Sequence, residues 1–194
     1  MKKAAVVFWI LILVPSLHAD FKITGGLNLS SYTGEKNTTW KKKMGLLGGL
    51  GVEFDLTYRT LLEVDILFFQ KGSLTGSTIK EEKYVLYTAS VPVLLRSKLF
   101  HGTSPYIAGG LEFSGIIANI KKSEQEEPVD ISDTMKRFDY GFVLGGGFEM
   151  KLKEQLFLFI EARYHLGIRN LLILPEEGLI RKTTAFVVLI GVRS

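Results

Sequence analysis

The sequence predicts an all-β chain, an eight-stranded antiparallel up-and-down transmembrane β-barrel, from three observations. Apolar and polar residues alternate with period two in segment after segment, the connections alternate between long and short, and the polar phase carries glycines together with charges of both signs. The composition agrees: 194 residues that are 46% hydrophobic exclude a disordered chain, and the lack of cysteine excludes a disulfide scaffold, thiol catalysis and thiolate metal sites.

The chain opens with Lys2 and Lys3, then an apolar run from Ala4 to Val14, then Pro15, Ser16, Leu17, His18 and Ala19. This is the pattern of an export signal, and the run is shorter than the roughly 20 apolar residues a membrane helix needs. Residues 1–19 are therefore expected to be cleaved after Ala19, leaving 20–194 as one barrel domain. No later segment is apolar for long enough to cross a membrane as a helix, so a crossing would have to use strands.

Eight segments alternate. Phe21, Ile23, Leu27 and Leu29 define the first, Leu46, Leu50, Val52 and Phe54 the second, and Leu62, Val64, Ile66 and Phe68 the third. Residues 84–99 and 105–117 alternate less cleanly. Phe138 to Phe148, Leu156 to Leu166 and Thr184 to Val192 complete the set. Residues 31–43, 71–83, 119–136 and 169–182 read as long polar connections, and 55–59, 100–104 and 150–154 as short ones. Long loops at one end and tight turns at the other are the arrangement of barrels in outer membranes.

Period two does not say which face meets which solvent, but the occupants of the polar phase do. Gly26, Gly49, Gly51, Gly141, Gly145 and Gly147 lie there, where glycine weakens a water-exposed sheet but makes room inside a narrow barrel. Glu53, Glu63, Asp65, Glu112, Glu149 and Glu161 share that phase with Arg96, Arg163, His165 and Arg193, and also with Lys22. Such a balance suits a closed lumen in which charges pair. The expected arrangement is apolar outward and polar inward, with Tyr32, Trp40, Tyr58, Tyr84, Phe100 and Tyr106 near strand ends as interfacial girdles. The alternative turns the apolar face inward, as in a soluble periplasmic lipocalin-like barrel holding a small apolar ligand.

The pieces GGLNLS (25–30), GLLGGLGVEFDL (45–56), LLEVDILFFQKG (61–72), SVPVLLRSKL (90–99), PYIAGGLEFS (105–114), FVLGGGFEMKL (142–152) and EARYHLGIRNL (161–171) follow one another in an order and spacing that resembles a family. It is that of the small outer-membrane β-barrel proteins labelled PorT-like, or outer membrane protein β-barrel domain. The resemblance spans most of residues 21–194 and implies an eight-stranded barrel in a Gram-negative outer membrane, with no catalytic residues to carry over. Two departures stand out. Ser90 replaces an acidic residue before Val91-Pro92, and the chain ends Arg193-Ser194 rather than in an aromatic, Phe186 being the nearest.

Catalytic readings are poor. Glu161 and His165 on one strand are roughly 13 Å apart, beyond hydrogen-bond reach, so His165 is expected to be a paired lumen residue rather than part of a lipid-hydrolase triad. His101 falls in a short turn. Glu124, Glu126, Glu127, Asp130 and Asp133 lack the spacing of a calcium loop and read as a mobile solvated segment. GGLGVE and GGGFE lack the following helix of a phosphate-binding turn. Leu171 to Leu174 is an apolar run inside a polar connection, expected to be a packed turn or strand extension. Lys41, Lys42 and Lys43 are candidates for contact with lipopolysaccharide phosphates. No cofactor, metal or nucleic acid is expected. The partners expected are outer-membrane lipid, lipopolysaccharide and a protein reached through the long loops, with the chain itself a monomer.

Overall fold

The structure is a computed structural model that describes residues 19–34, 40–77, 80–100, 104–123, 126–173 and 180–194, with the side chains of 76–81 and 126 left aside. The export-signal residues 1–18, His101 and Leu174 lie outside the described residues. The strands are β1 (Ala19–Thr33), β2 (Lys41–Asp55), β3 (Thr60–Ser77), β4 (Lys80–Lys98), β5 (Ser104–Ser123), β6 (Glu126–Asp130), β7 (Phe138–Lys153), β8 (Leu156–Gly167) and β9 (Lys182–Arg193). They pair antiparallel in the order β4-β3-β2-β1-β9-β8-β7-β5, and β4 pairs with β5 to close the sheet. Eight strands thus form the barrel, and β6 adds to the outer end of β5 alone.

The apolar phase faces outward. Phe21, Ile23, Leu46, Leu50, Phe68, Ile107 and Leu144 are exposed, Leu144 at 68%, whereas the opposite phase is buried. Cross-strand partners keep the parity: Ile23 stands opposite Leu50 on the outside, and Lys22 opposite Arg193 on the inside. An inward-facing apolar chamber for a ligand therefore finds no support. Closing the sheet also leaves the barrel strands no free edge to template aggregation.

Interior glycines make room for large neighbours. A Cβ at Gly147 would sit 2.5 Å from Tyr106 Oη, and one at Gly191 2.5 Å from Phe159 Cζ. At the β2–β3 bulge between Lys42 and Leu47, the ladder breaks and lumen side chains take its place. Asn28 Nδ2 donates to the carbonyls of Leu46 and Gln70 at 3.3 and 3.4 Å, and Ser30 Oγ accepts the Gly72 N–H at 2.8 Å. Gly72 adopts φ +147° there, a left-handed value that favours glycine. In the short β2–β3 turn, Thr57 Oγ1 accepts the Thr60 N–H at 3.0 Å.

Three expectations need correction. Strands β3 and β4 run to Ser77 and from Lys80, so most of the expected loop 71–83 is a hairpin extending beyond the apolar band. Its first residues stay buried, Lys71 and Ser73 among them, so the connection begins later than the polar composition suggests. Within the expected solvated segment 124–133, whose residues 124 and 125 lie outside the described residues, 126–130 form a strand: β6 pairs Asp130 with Ile120 and Val129 with Lys121, and a 3-10 turn, Ser132–Thr134, follows. The girdle assignment also fails for four of its six aromatics. Tyr32 and Tyr106 point inward and are buried, Trp40 and Tyr84 pack beside Tyr32, and only Tyr58 and Phe100 are exposed.

The outward parity predicts that Leu144→Arg costs about 2–4 kcal/mol of barrel stability in lipid vesicles. Denaturant unfolding of the inserted protein measures this, and a change within about 0.5 kcal/mol, typical of a water-exposed site, would place Leu144 off the lipid face.

Candidate functional site in the barrel interior

Every barrel strand sends a polar side chain into one ion-pair network near the short-turn end. Lys22 comes from β1, Glu53 from β2, Glu63 and Asp65 from β3, Arg96 from β4, Tyr106 from β5, Glu149 from β7, Glu161 and Arg163 from β8, and Arg193 from β9. Arg163 is the hub. Its Nη1 donates to Asp65 at 2.9 Å, its Nε to Glu161 at 2.8 Å, and it also bonds Glu63. Lys22 adds its ammonium to the Glu63 and Asp65 carboxylates.

Arg96 joins the second half of the network. It donates to Glu53 and Glu149 at 2.7 Å each, with its guanidinium stacked 3.5 Å from the Tyr106 ring centroid. Arg193 grips Glu149 with two bonds of 2.8 and 2.9 Å, bonds Asp20, and lies 4.2 Å over the Phe157 ring. Tyr106 donates to Glu161 at 3.1 Å. Lys98 at the rim reaches Glu149 at 3.0 Å.

The two remaining residues expected in the lumen, Glu112 and His165, stand apart from that network. Glu112 takes Lys71 at 3.1 Å, the Ser114 hydroxyl at 2.9 Å and His165 Nδ1. Beside them is a cavity of about 10 Å³ between Lys71, Glu112, Asp139, His165 and Thr183, about the size of one water. Beside the charged groups an apolar cluster also fills the lumen: Leu47, Leu67, Phe69, Phe159, Ala185, Val187 and Leu189. At the long-loop end, Tyr32, Trp40 and Tyr84 meet edge to face, with centroids 5.1 and 5.4 Å apart. Arg181 lies 5.0 Å over the Trp40 ring, and Leu86, Ile116, Met135 and Leu171 pack beneath.

Sequence reasoning missed Lys71, which stood in an expected loop, although it continues the alternation of Glu63, Asp65, Leu67 and Phe69. It also missed the lumen role of Tyr106, Phe159 and Leu189, since apolar residues in the inward phase look like noise when the lumen is assumed to be polar. Leu171, from the apolar run in the last connection, is a buried part of the closure.

Chemically, the interior holds no activated nucleophile among the described residues. The Ser114 hydroxyl donates to Glu112, not to His165, so the order serine to histidine to acid is not assembled. No group of three or more metal-ligating side chains forms among the described residues. In the outer hairpin, Asp130 accepts the Ser132 N–H at 2.8 Å, which with the Ser132 hydroxyl holds its carboxyl below its ordinary range.

Residues 16–172 match the family described as outer membrane protein beta-barrel domain. The chain belongs to that family. This outer-membrane barrel also resembles solved structures at low identity. The outer membrane protein OprG from Pseudomonas aeruginosa aligns with TM-score 0.58 at 16% identity, over 91% of this chain and 95% of that one. Neisserial surface protein A aligns with TM-score 0.56 at 11% identity, over 91% and 97%. At such identities the likeness shows the fold alone. No curated protein matches the sequence.

Removing Arg163 strands three carboxylates in a water-poor interior, so Arg163→Met is expected to cost about 3–5 kcal/mol. Urea unfolding of the vesicle-inserted barrel tests this, and a loss below about 1 kcal/mol would mean that water solvates the network.

Proposed function

We propose that this chain is a non-enzymatic outer-membrane barrel whose lumen is plugged by its own side chains and which acts through its outer hairpins and lipid-facing surface. The observation that carries the reading is the ion-pair network to which all eight barrel strands contribute. An eight-stranded barrel is just wide enough for its side chains to fill, and here two charged clusters, an apolar cluster and an aromatic cap occupy it. The cleaved export signal at residues 1–19, a PorT-like membership within the broader family, a monomeric state, and contacts with lipopolysaccharide and with a protein partner through the long hairpins belong to the same proposal. The missing serine-to-histidine bond supports the non-enzymatic reading.

Planar-bilayer recording of the purified, refolded protein tests the plug. The expected outcome is insertion, seen as a mobility shift between boiled and unboiled samples, without large stable conductance steps. Discrete, long-lived openings would overturn the closed lumen and make the barrel a channel.

A further inference from the structure

Lys83 on β4 and Lys122 on β5 stand directly opposite each other across the strand pair, and both are exposed. Like charges in that position destabilise a sheet. Their chain neighbours Tyr84 and Lys121 turn to the other face, where Lys121 reaches Glu82 at 2.8 Å and the Tyr84 hydroxyl donates to Glu82 at 3.1 Å. Glu82 is thereby committed to the inner face.

A third cation joins them. Lys43 is only 4% exposed, and its stem packs at Gly72, where an added Cβ would sit 3.0 Å from Lys43 Cδ. Its ammonium donates to the Met44 carbonyl at 3.3 Å and is repelled by Lys83 and Lys122. Among the described residues none of the three forms an ion pair. Lys41 shares the row, two strands from Lys83 through Leu74.

The cluster's position selects its ligand. It lies toward the long-loop end, which in these barrels faces outside. The exposed Lys83–Lys122 pair lies one step beyond the Val85–Ile120 pair, of which Val85 is buried, and past the β4–β5 bulge from the exposed Ile117, so the two ammonium groups stand beyond the last exposed apolar residue of β5, where headgroups begin. We propose that the exposed Lys83 and Lys122, with the buried Lys43 close behind them, form a binding site for the phosphate of an outer-leaflet glycolipid, the lipid A portion of lipopolysaccharide. The site rests on the reading of the chain as an outer-membrane barrel, and it assigns the lipid contact to residues of three strands rather than to the Lys41–Lys43 run alone. An anion placed between Lys83 and Lys122 replaces their repulsion with two attractions and supplies the counter-charge that Lys43 lacks.

The test uses the full barrel refolded into phosphatidylcholine vesicles with or without lipid A, reading the temperature at which the unboiled gel band converts to the boiled form. Lipid A is expected to raise that temperature for the wild type, and lipid A stripped of its phosphates or inorganic phosphate alone is not. Lys83→Gln and Lys122→Gln should each raise the lipid A concentration needed for half the effect about fivefold. In plain phosphatidylcholine the double variant should be at least as stable as the wild type, because a repulsion is gone. Lys151→Gln with Lys153→Gln, at the opposite end, should respond like the wild type. An equal rise with dephosphorylated lipid A or with inorganic phosphate, or an unchanged response of the double variant, would overturn the site. A chain that fails to insert into phosphatidylcholine would instead overturn the barrel reading itself.

Discussion

Arg163 and Arg96 lie inside a barrel with none of their charge reaching water, and the rest of the lumen is arranged around that constraint. A buried guanidinium persists only where carboxylates and hydrogen bonds replace its hydration, and together these two donate to five carboxylates on four strands. The pairs join residues far apart in the chain, such as Arg163 with Asp65 and Arg193 with Asp20. Replacing such a network with a fitted apolar core can be neutral, so its presence is no measure of stability by itself. What it does supply is specificity: a register slip of one residue would send these charges into lipid.

The interior is more varied than a water-filled lumen. Large rings from one strand occupy the space that glycines on the next leave open, as Tyr106 does at Gly147 and Phe159 at Gly191. These rings also receive the cations, Arg96 over Tyr106 and Lys22 over Phe159. Leu67, Val187 and Leu189 share that interior, Val187 opposite Arg163 and Leu189 opposite Glu161, so apolar side chains pack against the charges.

Outside the apolar band the chain keeps its strand form with different chemistry. The β3–β4 hairpin and the β5–β6 hairpin carry charge on both faces, and the aromatic trio of Tyr32, Trp40 and Tyr84 roofs the barrel mouth beneath Arg181. The outer hairpins and the outer rim therefore carry charged and aromatic side chains outside the lumen.

The sequence by itself determined the strand count, the outward facing of Leu, Ile and Phe, and the inward phase of Glu53, Glu63, Asp65, Arg96, Glu149, Glu161, Arg163 and Arg193, because side-chain parity is a local property of an extended chain. It misplaced Tyr32, Trp40, Tyr84 and Tyr106 because aromatics near strand ends suit either a girdle or a cap. It passed over Lys71 because a lysine next to Gly72 and Ser73 reads as the start of a polar connection, although it keeps the inward phase of Glu63 to Phe69. Which acid meets which base, that His165 meets Glu112 and not Glu161, and that Lys83 faces Lys122 were decided only by the tertiary structure. Those pairings depend on stagger between strands, on the β2–β3 and β4–β5 bulges and on closure of the sheet, none of which is set within a single strand.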